Sequence, residues 1–349
     1  MNILIIKLSA IGDVIHTLPA LNALRKHYPH ARITWAVEEA AYPLIEGHTA
    51  LNRVLLSQRK RWLRRLRKPG SRADCLGEAY LFIKKLRDTR YDLIIDFHQL
   101  LKSGVLAAMA NGKRKAGYNK GMEHMEHSYL FLNERIPCVS MEHHALSRNM
   151  MLLGALGIHS EEIVFNVPIR EQDRRDVDEL LSKHGLQASD RLVAINPMAQ
   201  WDTKLWSERK FSELADRLIE DYDVCPVFTG GPEDRHMVEN IRAGMKREAP
   251  GLAGETNLKM LAAFYERIKF LISTDTGPMH LAAALGKPVV AIFGPTAPWR
   301  TGPFGAGHQI IRACLKCSPC FRRKCSSTDC MAQISTEDVL NGVRKLNLL

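Results

Sequence analysis

Residues 270–294 read FLISTDTGPMHLAAALGKPVVAIFG, and this stretch decides the fold class. Phe270–Thr274 is an apolar run of strand length, Pro278–Leu285 has helical composition, and Val289–Phe293 is a second apolar run closed by Gly294 and Pro295. Neither run alternates with polar residues, so both strands are expected to be covered on two faces, as in a parallel sheet flanked by helices. The same order recurs upstream. Leu192–Asn196 reads as a strand, Ser207–Tyr222 as an amphipathic helix with Ser207 as N-cap, and Cys225–Thr229 as a strand closed by Gly230, Gly231 and Pro232. It recurs again near the start, where Asn2–Leu8 precedes a helical stretch, Val14–His27, whose Pro19 either kinks it or moves its start downstream. Arg32–Val37 and Tyr91–Phe97 are further strands. The pattern predicts an α/β protein of two Rossmann-like, doubly wound parallel-sheet domains, residues 1–170 and 171–349, facing a cleft. The join lies near residues 165–190, a boundary soft by ten residues or more.

A chain of 349 residues suits two such domains, and 46% hydrophobic with 25% charged residues is ordinary for a globular protein. No window approaches the roughly 20 uninterrupted apolar residues of a membrane span. The opening MNILIIKLSAIGD lacks a cationic flank and a small-residue cleavage site, so a first strand and a cytoplasmic protein are expected. Of the net charge of +11, residues 1–170 carry +10 (25 Lys and Arg against 15 Asp and Glu). An anionic partner is therefore expected at the first half.

Chemistry-bearing residues gather behind the strands. Ser273–His280 (STDTGPMH) follows a strand and opens a helix, whose first backbone N–H groups have no internal acceptors and can hold a diphosphate. The other reading is an ordinary βα loop capped by Asp275 or Thr276. Ser9-Ala-Ile-Gly12-Asp13 has one glycine where a dinucleotide fingerprint needs three, which counts against a nicotinamide or flavin enzyme. Asp13 either takes a proton from a substrate hydroxyl or caps the following helix. Lys204, in the loop after Asn196, either neutralises a departing diphosphate or is merely solvated. Arg59–Lys68 (RKRWLRRLRK) holds seven cations in ten residues with Trp62 and Leu63 interleaved. Phosphate capture, an amphipathic segment at an anionic membrane and nucleic-acid binding all fit that run.

Five of the eight cysteines, Cys314, Cys317, Cys320, Cys325 and Cys330, lie within residues 314–330. In a cytosolic protein that density admits a structural zinc or an iron–sulfur cluster, and a reduced thiol-rich loop is the other reading.

IIKLSAIGDVIHTLPAL, RITWAVEE, RKRW, YDLIIDFHQLLKSG, NPMAQWDTKLW, TGGPED and STDTGPMHLAAALGKPVVAIFGPT occur in this order and spacing. Together they resemble glycosyltransferase family 9, the lipopolysaccharide heptosyltransferases. The resemblance implies a GT-B fold and inverting, metal-independent transfer of heptose from ADP-heptose to an anionic glycolipid of the Kdo-lipid A type. It implies acceptor binding by the first domain, donor binding by the second, no required cofactor, and peripheral contact with the cytoplasmic face of the inner membrane. Asp13 matches the general base and Lys204 the cation at the donor diphosphate. Glu233 or Asp234, Thr256, Asp275, Thr276, Gly277 and His280 match donor-binding positions. Lys7, Lys60, Arg61, Arg64 and Lys102 match the acceptor side. The alternatives are a GT-B transferase with another nucleotide sugar and acceptor, or a non-catalytic binder of nucleotide sugar or nucleic acid. Nucleic acid is not expected, because that reading leaves Asp13 and the 273–280 turn without a task, and aromatics are only 7%.

Overall fold

The computed structural model describes residues 1–67, 72–122 and 126–348. The chain divides into two compact units, Met1–Pro168 and Ile169–Leu349.

The first unit opens with β1 (Asn2–Ile6), α1 (Ile11–Ile15), α2 (Leu18–His27), β2 (Arg32–Glu38) and β3 (Arg53–Ser57). The helix expected over 14–27 is thus two helices. Pro19 falls in the first turn of α2, where its missing N–H costs no intrahelical bond. Then follow α3 (Arg59–Leu66), α4 (Arg72–Arg87), β4 (Tyr91–Asp96), α5 (Leu101–Met109), β5 (Gly112–Tyr118), β6 (Glu134–Ile136) and α6 (Ala145–Ala155). The six strands pair in parallel in the order β3-β2-β1-β4-β5-β6. Ile3–Ile6 and Ile94–Ile95 are fully buried, as central strands covered on both faces must be.

The second unit comprises α7 (Glu171–Lys183), β7 (Leu192–Asn196), α8 (Glu208–Tyr222), β8 (Cys225–Phe228), α9 (Arg235–Ala243), α10 (Leu258–Arg267), β9 (Leu271–Thr274), α11 (Gly277–Ala284), β10 (Val289–Phe293), α12 (Pro298–Thr301), β11 (Gln309–Arg312), α13 (Asp329–Ala332) and α14 (Thr336–Lys345). Its strands are also parallel, ordered β11-β10-β9-β7-β8. Phe211, Leu214, Ala215 and Leu218 give α8 one apolar stripe, and they sit in the core with Phe228 and Ile272. Ser207 occupies the N-cap position of α8, with no side-chain capping bond.

Strand order decides where ligands meet each sheet. In the first unit the order reverses between β1 and β4, and in the second between β7 and β9. Loops leaving two such strands at their carboxyl ends diverge to opposite faces and leave a crevice between them.

Candidate active site

In the first unit the crevice lies between the loops after β1 and β4. Lys7, the residue after β1, is buried, and its Nζ donates to the carbonyl of Phe97, just after β4, at 3.0 Å. The same Nζ stands 3.8 Å from Oδ1 of Asp13, whose side chain remains 47% exposed. Asp13 is the third residue of α1, and its Oδ2 accepts the Ala10 N–H at 3.1 Å. Capping and access to a ligand are therefore both realised in one carboxylate. Lys102, near the start of α5, donates to Ser9 Oγ at 3.1 Å and closes the other side. Gly104 lets α5 pack against the turn at Ser128–Phe131, since a Cβ there would stand 2.9 Å from the Ser128 backbone.

Glu38, at the end of β2, is with Asp96 one of two carboxylates that sequence reasoning missed. Its side chain is 4% exposed and faces three cations, Arg59 at 3.3 Å, Lys60 at 3.5 Å and Lys102 at 3.3 Å. One buried carboxylate against three cations leaves a local positive excess, which favours an anion at this mouth. Asp96, the last residue of β4, is buried and accepts from His98 N, Gln99 N and Ser103 Oγ at 2.9, 3.0 and 2.9 Å. Burial nevertheless pushes its carboxyl up to about 6. Burial, with Lys7, Lys102 and Arg59 nearby, pushes the His98 imidazole down to about 2, so it stays neutral among these cations. The signal for Glu38 and Asp96 was available in the sequence, because each is a carboxylate at the carboxyl end of an apolar strand.

The basic run forms α3, and its last residue, Lys68, lies outside the described residues. Arg61 and Arg64 are exposed on this helix. Arg65 is tied to Glu78 at 2.7 Å and Trp62 Nε1 to the same carboxylate at 2.9 Å, so this face of α3 is used to hold α4.

In the second unit the loops after β7 and β9 meet through an ion pair. Lys204 Nζ lies 2.6 Å from Asp275 Oδ2, which also accepts from Thr296 Oγ1 at 2.6 Å. The reading of Lys204 as a solvated loop lysine is therefore corrected: its side chain is 15% exposed, 4.5 Å from the Trp201 ring centroid. Asp275 is not a cap either. Thr276 holds the N-cap position of α11 without a side-chain capping bond, and Gly277 is the first helical residue. His280 is buried one turn further on. Glu233 and Asp234 lie in a 3₁₀ turn after β8, the strand beside β7. Asp234 accepts the Gly231 N–H at 2.7 Å and is half-buried, and burial raises its carboxyl above the usual range; Glu233 is exposed. Thr256 is half-buried and directly precedes Asn257, the N-cap of α10.

Among the described residues no group of three or more His, Cys, Asp or Glu side chains is placed to hold a metal ion. Cys314, Cys317 and Cys325 are exposed, Cys320 is half-buried, and Cys330 is buried in the core beneath β10. The cysteine-rich segment is held through its backbone. Cys320 N and Phe321 N donate to the Pro295 carbonyl at 3.0 and 2.8 Å, and Thr203 Oγ1 donates to the Arg322 carbonyl at 2.9 Å. It thus braces the loops that carry Lys204 and Thr296.

Comparison with known proteins agrees with this architecture. Residues 80–331 match glycosyltransferase family 9 (heptosyltransferase). The chain is 30% identical over 329 residues to lipopolysaccharide heptosyltransferase 1 of Pseudomonas aeruginosa, covering 93% of this chain and 88% of that one. Among solved structures, E. coli heptosyltransferase WaaC with ADP is 25% identical with a TM-score of 0.80, covering 99% of this chain and 100% of that one. The same enzyme with ADP-2-deoxy-2-fluoro heptose has a TM-score of 0.77 at 25% identity, covering 99% of both chains. Fold and site define the class, a glycosyltransferase of the GT-B type. Within that class the chain belongs to glycosyltransferase family 9, the heptosyltransferases. No helix among the described residues is long and apolar enough to cross a membrane.

Proposed function

We propose that this protein transfers heptose from ADP-heptose to a hydroxyl of the anionic inner core of lipopolysaccharide, with the first unit holding the acceptor and the second the donor. The observation that carries the reading is the half-exposed Asp13 carboxylate, steadied by Ala10 N–H and Lys7 at a crevice whose far wall is the Glu38 cation cluster. The acceptor hydroxyl attacks the anomeric carbon of the heptose while Asp13 takes its proton. The bond from that carbon to the diphosphate oxygen breaks, and its electron pair leaves on ADP. Lys204, aimed by Asp275, and the N-terminal N–H groups of α11 meet the growing negative charge. Attack from the face opposite the leaving group gives inversion. Glu233 and Thr256 are assigned to the nucleoside end of the donor, and Lys7, Lys60 and Lys102 to the acceptor's anionic groups. Such an acceptor places the enzyme in the cytoplasm, at the inner face of the membrane.

Asp13→Asn tests this directly. It keeps an oxygen for the Ala10 N–H but removes the base. Turnover is expected to fall by about 10²–10⁴-fold, with the melting temperature and ADP affinity nearly unchanged. Intact turnover per folded molecule would remove Asp13 from the mechanism.

A further inference from the structure

A groove of about 640 Å³ in the first unit lies beside the crevice at Asp13, bounded by α3, α4 and α5. Its walls are Trp62 from α3, Phe82 and Ile83 from α4, and Val105, Leu106 and Met109 from α5. Trp62 and Phe82 face each other with ring centroids 5.7 Å apart. The charged lining is Arg59 and Lys102, two of the three cations gathered on Glu38, together with one carboxylate, Glu126. Lys102 belongs to both places: it lines the groove and donates to Ser9 Oγ in the loop that leads into α1, the helix carrying Asp13. Val105 is 39% exposed and Leu101 47% exposed at the mouth. On α4, Cys75, Phe82 and Leu86 turn inward while Leu76, Tyr80 and Leu81 are exposed, so that helix is apolar on both sides.

An apolar trough whose charged lining is two cations and one carboxylate carries a net positive charge and fits an amphiphile with an anionic head. We propose that this groove binds one acyl chain of the anionic glycolipid acceptor, holding the chain between α3, α4 and α5 while the head group lies over Lys102 and the Glu38 cluster. The proposal rests on the acceptor assignment made above and extends it from the sugar to the lipid. The groove shares Lys102 with the site, Arg59 and Lys102 are complementary to a phosphorylated head, and its volume is that of a small-molecule pocket rather than of a flat docking face. A chain seated there positions the acceptor along one line, so the acyl chain contributes to affinity and to the aim of the hydroxyl at Asp13.

The test compares monomerically dispersed acylated acceptor with the same acceptor after complete removal of its acyl chains, in wild type, Val105→Arg and Ala79→Trp. Val105 is part-exposed and Ala79 is half-buried on the opposite wall, so the two variants block the groove from different helices, and a melting curve confirms that each folds. Each methylene taken out of water strengthens binding by about fourfold. The wild-type KM is therefore expected to be at least tenfold lower for the acylated acceptor. Both variants should raise it to the level of the deacylated acceptor and leave turnover of the deacylated acceptor unchanged. Direct binding of dodecyl phosphate, strong in wild type and lost in both variants, is the second readout. Equal KM values for the two acceptors in wild type overturn the groove assignment while leaving the transferase reading intact; no transfer to either acceptor overturns the reading itself. If the variants abolish only binding to anionic vesicles, or only self-association, the groove serves a membrane surface or a second copy and the proposal fails.

Discussion

Asp96 shows how much a single residue's surroundings weigh. Three donors point at its carboxylate, yet burial dominates and lifts the group to about 6, with Lys7 acting the other way. An unfolded aspartate titrates near 3.9. Between about 4 and 6 the folded chain keeps a proton that the unfolded chain releases, so this group's contribution to stability falls as pH rises through that window and is constant above it. Asp96→Asn keeps an acceptor oxygen for the His98 and Gln99 N–H groups and carries no charge. The melting temperature of the variant, relative to wild type, is expected to be more favourable at pH 7.5 than at pH 4. Thermal melts at the two pH values check this, and a difference that ignores pH would contradict the origin assigned to the shift. Asp275 makes a related point. Its place before a helix reads as a cap, but Lys204 and Thr296 claim the carboxylate.

Among the elements, α3 divides its charges between two tasks. Arg59 and Lys60 lean on Glu38, Arg65 holds Glu78 of α4, and Arg61 and Arg64 are exposed. Besides Lys60, whose side chain stays 67% exposed, the last two are open as contacts for a phosphorylated acceptor. Changing both to Ala is expected to weaken acceptor binding by roughly two- to thirtyfold, the range for exposed ion pairs, and to flatten its salt dependence. ADP binding and the melting temperature should hold. Arg65→Ala should do the reverse, lowering the melting temperature by loosening α3 from α4 and leaving the salt dependence alone. Titrations at two ionic strengths separate the two classes, and equal effects from both would dissolve the distinction.

The whole molecule carries two parallel sheets with different strand orders, and each gathers its polar residues at its own switch point. If the second unit holds the donor, ADP at one hundred times its Kd adds about 2.7 kcal/mol of stability through preferential binding to the folded state. Hydrogen exchange should then slow in the loops after β7 and β9 and at the start of α11, with the loops after β1 and β4 unaffected. Lys204→Ala should weaken ADP binding and remove most of that protection. Protection confined to the first unit would reverse the assignment of donor and acceptor.

Much of this was legible in the residues themselves. Unbroken apolar runs such as LVAIN and VVAIF specify buried parallel strands, and the polar residues behind them mark the ligand end, which is how Asp13, Lys204 and Asp275 come into view. These are local signals, carried by hydrophobic periodicity over a few residues. What only the tertiary structure decided is pairing over distance. Strand order brings Lys204 to Asp275 across 71 positions and Lys102 to Glu38 across 64. It also encloses one groove with three helices and ties the cysteine-rich segment to the Pro295 carbonyl through its backbone. No periodicity encodes such contacts, because burial and charge pairing depend on which elements pack together, and that is set by the sheet as a whole.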